Sequence, residues 1–305
     1  MTDPSARVAG IVLNYRTPED TRLALRSLQA SRRPVADVIA VDNGSGDGSV
    51  DQLRAALPGI RVLASPRNLG FSGGCNLGIR NALERGADLV LLVNSDAVLR
   101  LDTLERMEDV LLTHPKIGVV APVLLSQSTP EQILSRGIDF SALTGRMWHR
   151  DFGTAYASMS GDPVMLADGA SACVMLIRRE VFDAIGLFDE KYFFSFEDLD
   201  FCLRARRAGI LTAIAANAIA YHQENRTIGP NSPRRLYFAT RNHLLLAKQA
   251  APLPVPGAGL LRAGAILALN TAFAMLNTQV PRKDGLRSVA RGAWDHVIRR
   301  YGDSP

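Results

Sequence analysis

An α/β fold, with a mostly parallel sheet covered by helices on both faces, is what the sequence predicts. Two observations carry that expectation. Short, continuously apolar runs alternate with amphipathic segments of helical length, and the runs end in turns rich in Asp, Asn and Gly. Continuous apolar runs are what strands buried on both faces look like. Residues 8–13 read as the first strand, closed by Asn14 and Tyr15. Thr17, Pro18 and Glu19 then supply an N-cap, a proline at the first helical position and an early acid, for a helix to about residue 30. Residues 38–41 form a second strand and 50–57 a helix; 61–64 form a third strand, and the loop 68–74 opens a helix to about residue 85. Strands follow at 89–93 and 117–121.

Beyond Pro122 the pattern blurs. Residues 126–163 are polar and turn-rich, a length that suits a functional insertion facing an acceptor. Trp148 and His149 sit in its middle, and His149 reads as structural. A strand at 173–177, a helix at 179–185 and a helix ending near Ala208 complete the folded body.

Composition narrows the function. The 305 residues are 47% hydrophobic and 21% charged, which excludes a disordered chain. The last 55 residues hold seven basic and three acidic side chains, so most of the net charge of +5 belongs to the tail and the body is near neutral. That placement argues against nucleic-acid binding, which needs a basic stripe on the folded surface. Cys75, Cys173 and Cys202 have no metal-ligand spacing and read as reduced thiols of a cytosolic protein. The opening residues 1–7 lack the apolar stretch of a secretory leader.

In sheets of this kind ligands bind beyond the carboxyl ends of the strands. Tyr15, Asp42, the loop from Asn68 to Gly74, and Asn94-Ser95-Asp96 all follow strands and would gather on one rim. Each is also an ordinary turn former. A second acidic site lies at Glu197, Asp198 and Asp200, directly after the aromatic run Tyr192-Phe193-Phe194. Carboxylates so dense beside apolar surface are costly unless a cation, a helix N-terminus or a proton-donating substrate offsets them. Two such sites suggest metal-assisted group transfer with a carboxylate base.

Seven segments, in order, carry a family resemblance: IVLNYRTPEDTRLALRSL, VIAVDNGSGDGS, NLGFSGGCNLGI, LLVNSDA, ASACVMLIRREVFDAIGLFDEKYFFSFEDLDFCLRARRAG, AYHQENRT and LYFATRNHLLLAK. The chain resembles the family 2 glycosyltransferases of the GT-A fold, in their bacterial rhamnosyltransferase-like branch. The resemblance spans residues 8–248. It implies a catalytic domain at 1–250, with a nucleotide-binding half at 1–122 and an acceptor half at 123–250. It implies that Asp42 accepts a hydrogen bond from a pyrimidine base of a dTDP- or UDP-sugar, with Tyr15 against the same nucleotide. Asn68, Gly70 and Gly73 would let the backbone approach the donor, with Asn76 on the following helix. Asn94, Ser95 and Asp96 stand at the family's Asp-x-Asp motif, with asparagine in place of the first acid. Asp96 would ligate Mg²⁺ or Mn²⁺, and His222 matches a late metal ligand. Asp198 falls at the catalytic base. Glu197 is left open between a site role and a helix-capping role, and Asp200 is read as a helix-end acid. Arg226 and Arg241, the latter paired with Asn242, are possible phosphate or acceptor contacts.

The implied activity is inverting transfer of a sugar, L-rhamnose or a hexose, onto a cell-surface glycan or a polyprenyl-diphosphate-linked acceptor. Rival readings are a silent sugar-nucleotide-binding subunit, to which the incomplete triplet points, and a nucleotidyltransferase. A dinucleotide oxidoreductase fits poorly, because the first strand leads to Asn14-Tyr15-Arg16-Thr17 and not to a Gly-x-Gly turn.

The tail at 251–305 is helical in pattern. Residues 260–276 are almost wholly apolar, interrupted by Arg262 and Asn270, and a basic segment with Trp294 and Tyr301 follows. An apolar helix beside a cationic one suits attachment to the inner face of the cell membrane. The other reading is a helical cap on the catalytic domain or on a second subunit.

Overall fold

The computed structural model describes residues 6–156, 162–223, 232–249, 257–276 and 279–303. The chain opens with β1 (Val8–Asn14), α1 (Pro18–Gln29), β2 (Asp37–Asp42), α2 (Ser49–Ala56), β3 (Arg61–Ala64), α3 (Gly70–Glu84) and β4 (Leu89–Asn94). It continues through β5 (Ala97–Leu99), α4 (Thr103–Thr113) and β6 (Ile117–Ser126). Short strands follow: β7 (Ile133–Ser135), β8 (Ile138–Phe140), β9 (Met147–His149) and β10 (Val164–Ala167). Then come β11 (Val174–Arg178), α5 (Arg179–Ile185), α6 (Glu197–Arg207) and β12 (Leu211–His222). The C-terminal helices are α7 (Pro233–Gln249), α8 (Ala258–Leu276) and α9 (Arg282–Val297).

The main sheet runs β10-β12-β6-β11-β4-β1-β2-β3, with β5 on β12 and β7 on β6. Strands β1, β2, β3, β4, β6 and β12 point the same way, so the mostly parallel expectation holds. The exception at its centre is β11, which lies antiparallel between β4 and β6. Alternation along each strand divides the core into two layers. Val8, Val12 and Ala40 pack with α1, α2 and α4 on one face. Ala9, Ile11 and Val41 pack with α3, α5 and α6 on the other.

Two departures from the sequence pattern have local causes. The strand expected at 117–121 continues through Pro122 to Ser126 as β6, crossing the division drawn at residue 122. A proline removes one ladder donor, and β12 accommodates it with an irregularity: its register jumps between Ala215, opposite Pro122, and Ile219. The segment expected to be irregular holds β7 and the β8–β9 hairpin.

The C-terminal helices pack on the body. The Tyr237 hydroxyl in α7 donates to Asp295 in α9 at 2.7 Å, and Leu244 and Ala247 of α7 enclose Ile266 of α8.

Candidate active site

The carboxyl ends of β1, β2 and β4 form one rim because the register sets Asn14 beside Asp42 and Leu13 beside Asn94. From Asp42 a line of polar contacts crosses the rim. The Asn14 amide donates to Asp42 Oδ1 at 2.7 Å, and the Ser45 backbone N–H donates to Oδ2 at 3.1 Å. The Asn14 oxygen accepts from the Thr21 hydroxyl at 2.8 Å. Thr17 donates its hydroxyl to Ser95 at 3.1 Å instead of capping α1, so the expected N-cap is used to join the two strand ends. Asp42 is buried, and each of its oxygens retains a lone pair for a ligand N–H.

Asp96 meets His222 through strand pairing. β5 runs antiparallel to β12 with Ala97 opposite His222. This brings His222 Nε2 to 3.2 Å from Asp96 Oδ1, both side chains mostly buried. Burial alone would lower the His222 pKa; the Cys173 sulfur and the Asp96 carboxylate raise it, to about 11. Burial also raises the Cys173 thiol, an effect its neighbour His222 offsets in part. The backbone before β11 links this strand end to α6: the Cys173 carbonyl accepts from the Asn94 N–H at 2.8 Å, and the preceding Ala172 N–H donates to Asp198.

Asp198 enters from α6. Its Oδ2 accepts from the Ala172 N–H at 3.3 Å and its Oδ1 from the Leu199 N–H at 2.8 Å. Burial raises its pKa, offset in part by the Leu199 N–H and by the charge of His149 in β9. A carboxyl shifted upward is a better proton acceptor than a free one near neutrality. Glu197 is raised further, first by burial and then by Asp198. Its Oε2 is buried without a hydrogen-bond partner among the described residues.

The loop before α6 holds Asp198 in place. Phe193, Ser195 and Phe196 take φ of 58°, 71° and 72°, a region costly for side chains of this kind. The Asn242 amide donates to the carbonyls of Tyr192, Phe194 and Ser195 at 2.7, 2.7 and 3.0 Å. Arg241 donates to the carbonyls of Lys191 and Tyr192 at 3.1 and 3.2 Å and to Gly302 at 2.8 Å.

Several expected roles change on this geometry. Arg241 is fully buried and occupied by those carbonyls, so it is a clamp and not a phosphate contact. Asn76 is buried and exchanges hydrogen bonds with the Phe188 backbone at 2.9 and 3.1 Å, which turns it away from a ligand. The space beside Gly70 (φ +74°) is taken by Phe193, where a Cβ would stand 2.5 Å from its ring and carbonyl; Gly73 meets Leu69 in the same way at 2.7 Å. These glycines make room for neighbouring chain. Asn68 accepts from Asn43 and from the Gly70 N–H at 3.2 and 2.8 Å, holding its own loop. Asp200, in the first turn of α6, binds Arg204 at 2.8 Å and the Tyr192 hydroxyl at 3.2 Å. Tyr15 lies half-buried on the rim under the Arg16 guanidinium, and Asn94 is half-buried at the end of β4. Arg226 lies outside the described residues.

Asn14 and Cys173 were not singled out as site residues from the sequence. Asn14 carried a weak signal, as the residue closing the first strand. Cys173 carried none.

A divalent cation fits the donors present. Asp96 supplies oxygen and His222 nitrogen, a set that takes Mg²⁺ or Mn²⁺ once the imidazole gives up its proton. Among the described residues no three His, Cys, Asp or Glu side chains form a complete cage. Substrate oxygens and water would therefore supply the other ligands.

One sheet rim thus bears a buried carboxylate, a carboxylate–imidazole pair and a desolvated carboxylate. Residues 4–243 match the family described as glycosyltransferase-like family 2, and the chain belongs to that family of glycosyltransferases. It is 29% identical over 217 residues to the N-acetylglucosaminyl-diphospho-decaprenol L-rhamnosyltransferase of Mycobacterium tuberculosis, covering 66% of this chain and 70% of that one. It is 26% identical over 312 residues to the galactofuranosyltransferase GlfT1 of the same organism, covering 97% and 95%. Among solved structures, the mannosyltransferase PcManGT of Pyrobaculum calidifontis superposes with a TM-score of 0.57 at 14% identity, over 98% of this chain and 90% of that one, which shows the shared fold.

Proposed function

We propose that this protein is an inverting glycosyltransferase that moves a sugar from a pyrimidine nucleotide donor to a hydroxyl of a lipid-linked or cell-surface glycan, on the cytoplasmic side of the membrane. The observation that carries this reading is the Asp96–His222 pair at one strand end, with Asp198 tied to the same end through Ala172 and Cys173, and Asp42 joined to it through Asn14, Thr17 and Ser95. The catalytic body is residues 1–250, with nucleotide and acceptor halves dividing near residue 122, and 251–305 is a helical extension. The rhamnosyl and galactofuranosyl relatives support a deoxyhexose or hexose donor. dTDP-L-rhamnose is the first choice and UDP-hexoses follow.

Asp198 takes the proton of the acceptor hydroxyl as that oxygen bonds to the anomeric carbon. The bond from that carbon to the diphosphate oxygen breaks on the opposite face, and the nucleoside diphosphate leaves with the electron pair. Asp42 orients the base of the donor and Tyr15 lies beside it. Asp96 and His222 would hold the divalent cation, which when bound neutralises charge on the departing diphosphate. The Pyrobaculum enzyme, in complex with GDP-Man and Mn²⁺, supports that assignment.

The test is a sugar-nucleotide panel with Mn²⁺ and the purified protein. Transfer or slow hydrolysis of one donor is expected, abolished by a chelator. Asp198→Asn is expected to lose turnover and keep nucleotide affinity; an active Asp198→Asn enzyme removes the base. Pyrophosphate release from a nucleoside triphosphate would favour nucleotidyl transfer instead.

A further inference from the structure

Helix α8 is 19 residues long and carries a single ionisable side chain, Arg262. That side chain is turned inward, where its guanidinium donates to the carbonyls of Ala142, at 2.6 Å, and Ala247. Arg262, Ile266 and Ala274 are the buried residues of the helix, spaced so that one narrow stripe is fastened to the body along its length. The rest of its circumference faces outward without a charge. Leu261 and Leu276 are each 79% exposed, and Leu269 and Phe273 lie between them. So wide an apolar face on one helix marks an interaction surface.

We propose that the outer face of α8 lies flat on an anionic lipid bilayer. The helix does not cross it, because its inner stripe and Arg262 stay bonded to the protein. Charge complementarity selects the occupant. Immediately beyond the face, at the start of α9, Arg282, Lys283 and Arg287 are exposed. Trp294 is exposed near the other end of α9, a residue suited to the headgroup layer. A second copy of this chain would bring the same basic rim and little to neutralise it: of the tail's three acids Asp295 is buried, Asp303 already pairs with Arg234, and Asp284 alone stands among the basic residues of α9.

The seat also has a direction. Ala142, held by Arg262, belongs to the insertion between β8 and β9, and the adjacent Leu143 is 74% exposed. Gly145, in the same hairpin, accepts a hydrogen bond from His243, whose ring stacks on Phe196, two residues before Asp198. A bilayer under α8 therefore meets the protein on the side of the proposed base, where a membrane-borne acceptor would arrive. This inference deepens the membrane-side location proposed above, and its test does not depend on transfer.

The experiment is flotation of the full chain with phosphatidylcholine vesicles and with vesicles containing phosphatidylglycerol. Binding is expected with the anionic vesicles, weakening as salt rises. Arg282→Glu/Lys283→Glu/Arg287→Glu is expected to weaken it about 100-fold or more, at roughly a factor of five per basic residue removed. Leu261→Glu/Leu269→Glu/Leu276→Glu, at exposed positions, is expected to abolish it while melting temperature and donor hydrolysis without vesicles stay at the wild-type level. Wild-type protein that fails to float with either vesicle overturns the proposal. So does a dimer that the leucine variant converts to monomer, with vesicle binding unchanged.

Discussion

Glu197 and Asp198 are neighbours in the chain with opposite surroundings. Asp198 receives two backbone N–H groups, whereas Glu197 Oε2 has no partner among the described residues. The folded state therefore favours the protonated form of Glu197, raising its pKa above that of the unfolded chain. Between the two values the folded protein binds more protons, so stability falls as pH rises through that window, and the full cost is present above it. Glu197→Gln keeps the shape and removes the charge. It is expected to stabilise the protein by roughly 1–3 kcal/mol at about pH 8 and to change little at about pH 4, as read from thermal melts. A lower melting temperature at the higher pH would show that the charged form has a partner. Single residues were only partly legible. Asp96, His222 and Asp198 stand out through the ordered motifs, and the structure pairs the first two. Asn14 was not, because its importance lies in Asp42, Thr21 and Ser45, partners supplied by other turns of the chain. The backbone bonds of Asn76 and Arg241 were hidden for the same reason: a polar residue near a site is indistinguishable in sequence from one bonded to the backbone.

The strained loop between Tyr192 and Phe196 is the element that aims Asp198, the proposed base, and α7 holds it through Asn242 and Arg241. Asn242→Ala removes donors from three carbonyls and leaves the nucleotide rim untouched. It is expected to lower kcat by about 10- to 100-fold, the effect of misplacing a reacting group by a fraction of an ångström to an ångström, with donor KM little changed. Steady-state kinetics check the split, and an unchanged kcat would show that the loop holds itself. Element type was readable along β1 to β4 because apolar runs and turn chemistry agree there. Direction was not readable for β11, since an apolar run of five has the same pattern whichever way it lies between its neighbours. The extension of β6 through Pro122 depends on an irregularity in β12, nearly a hundred residues later, and no local signal announces it.

At the scale of the molecule, one buried ion pair joins segments remote in sequence. Arg33, after α1, donates to Glu108 of α4 at 2.6 and 3.0 Å and to the Ala6 carbonyl at 2.7 Å. Arg33→Ala leaves a buried carboxylate alone and is expected to cost about 3–5 kcal/mol in denaturant unfolding. Arg33→Met with Glu108→Leu is expected to recover most of that loss. A double variant as unstable as the single one would assign the loss to packing. The α/β architecture itself was legible from residues 8–121, but the place of the second half within the sheet was not. β11 is the central instance, because β4 and β6 touch the sheet's middle only through it. On the ribosome, β4 and β6 emerge with their facing edges unpaired, and those edges remain so until residue 178 has been made. The nascent chain must therefore be shielded over that interval, and truncations ending before Arg178 should accumulate as aggregates.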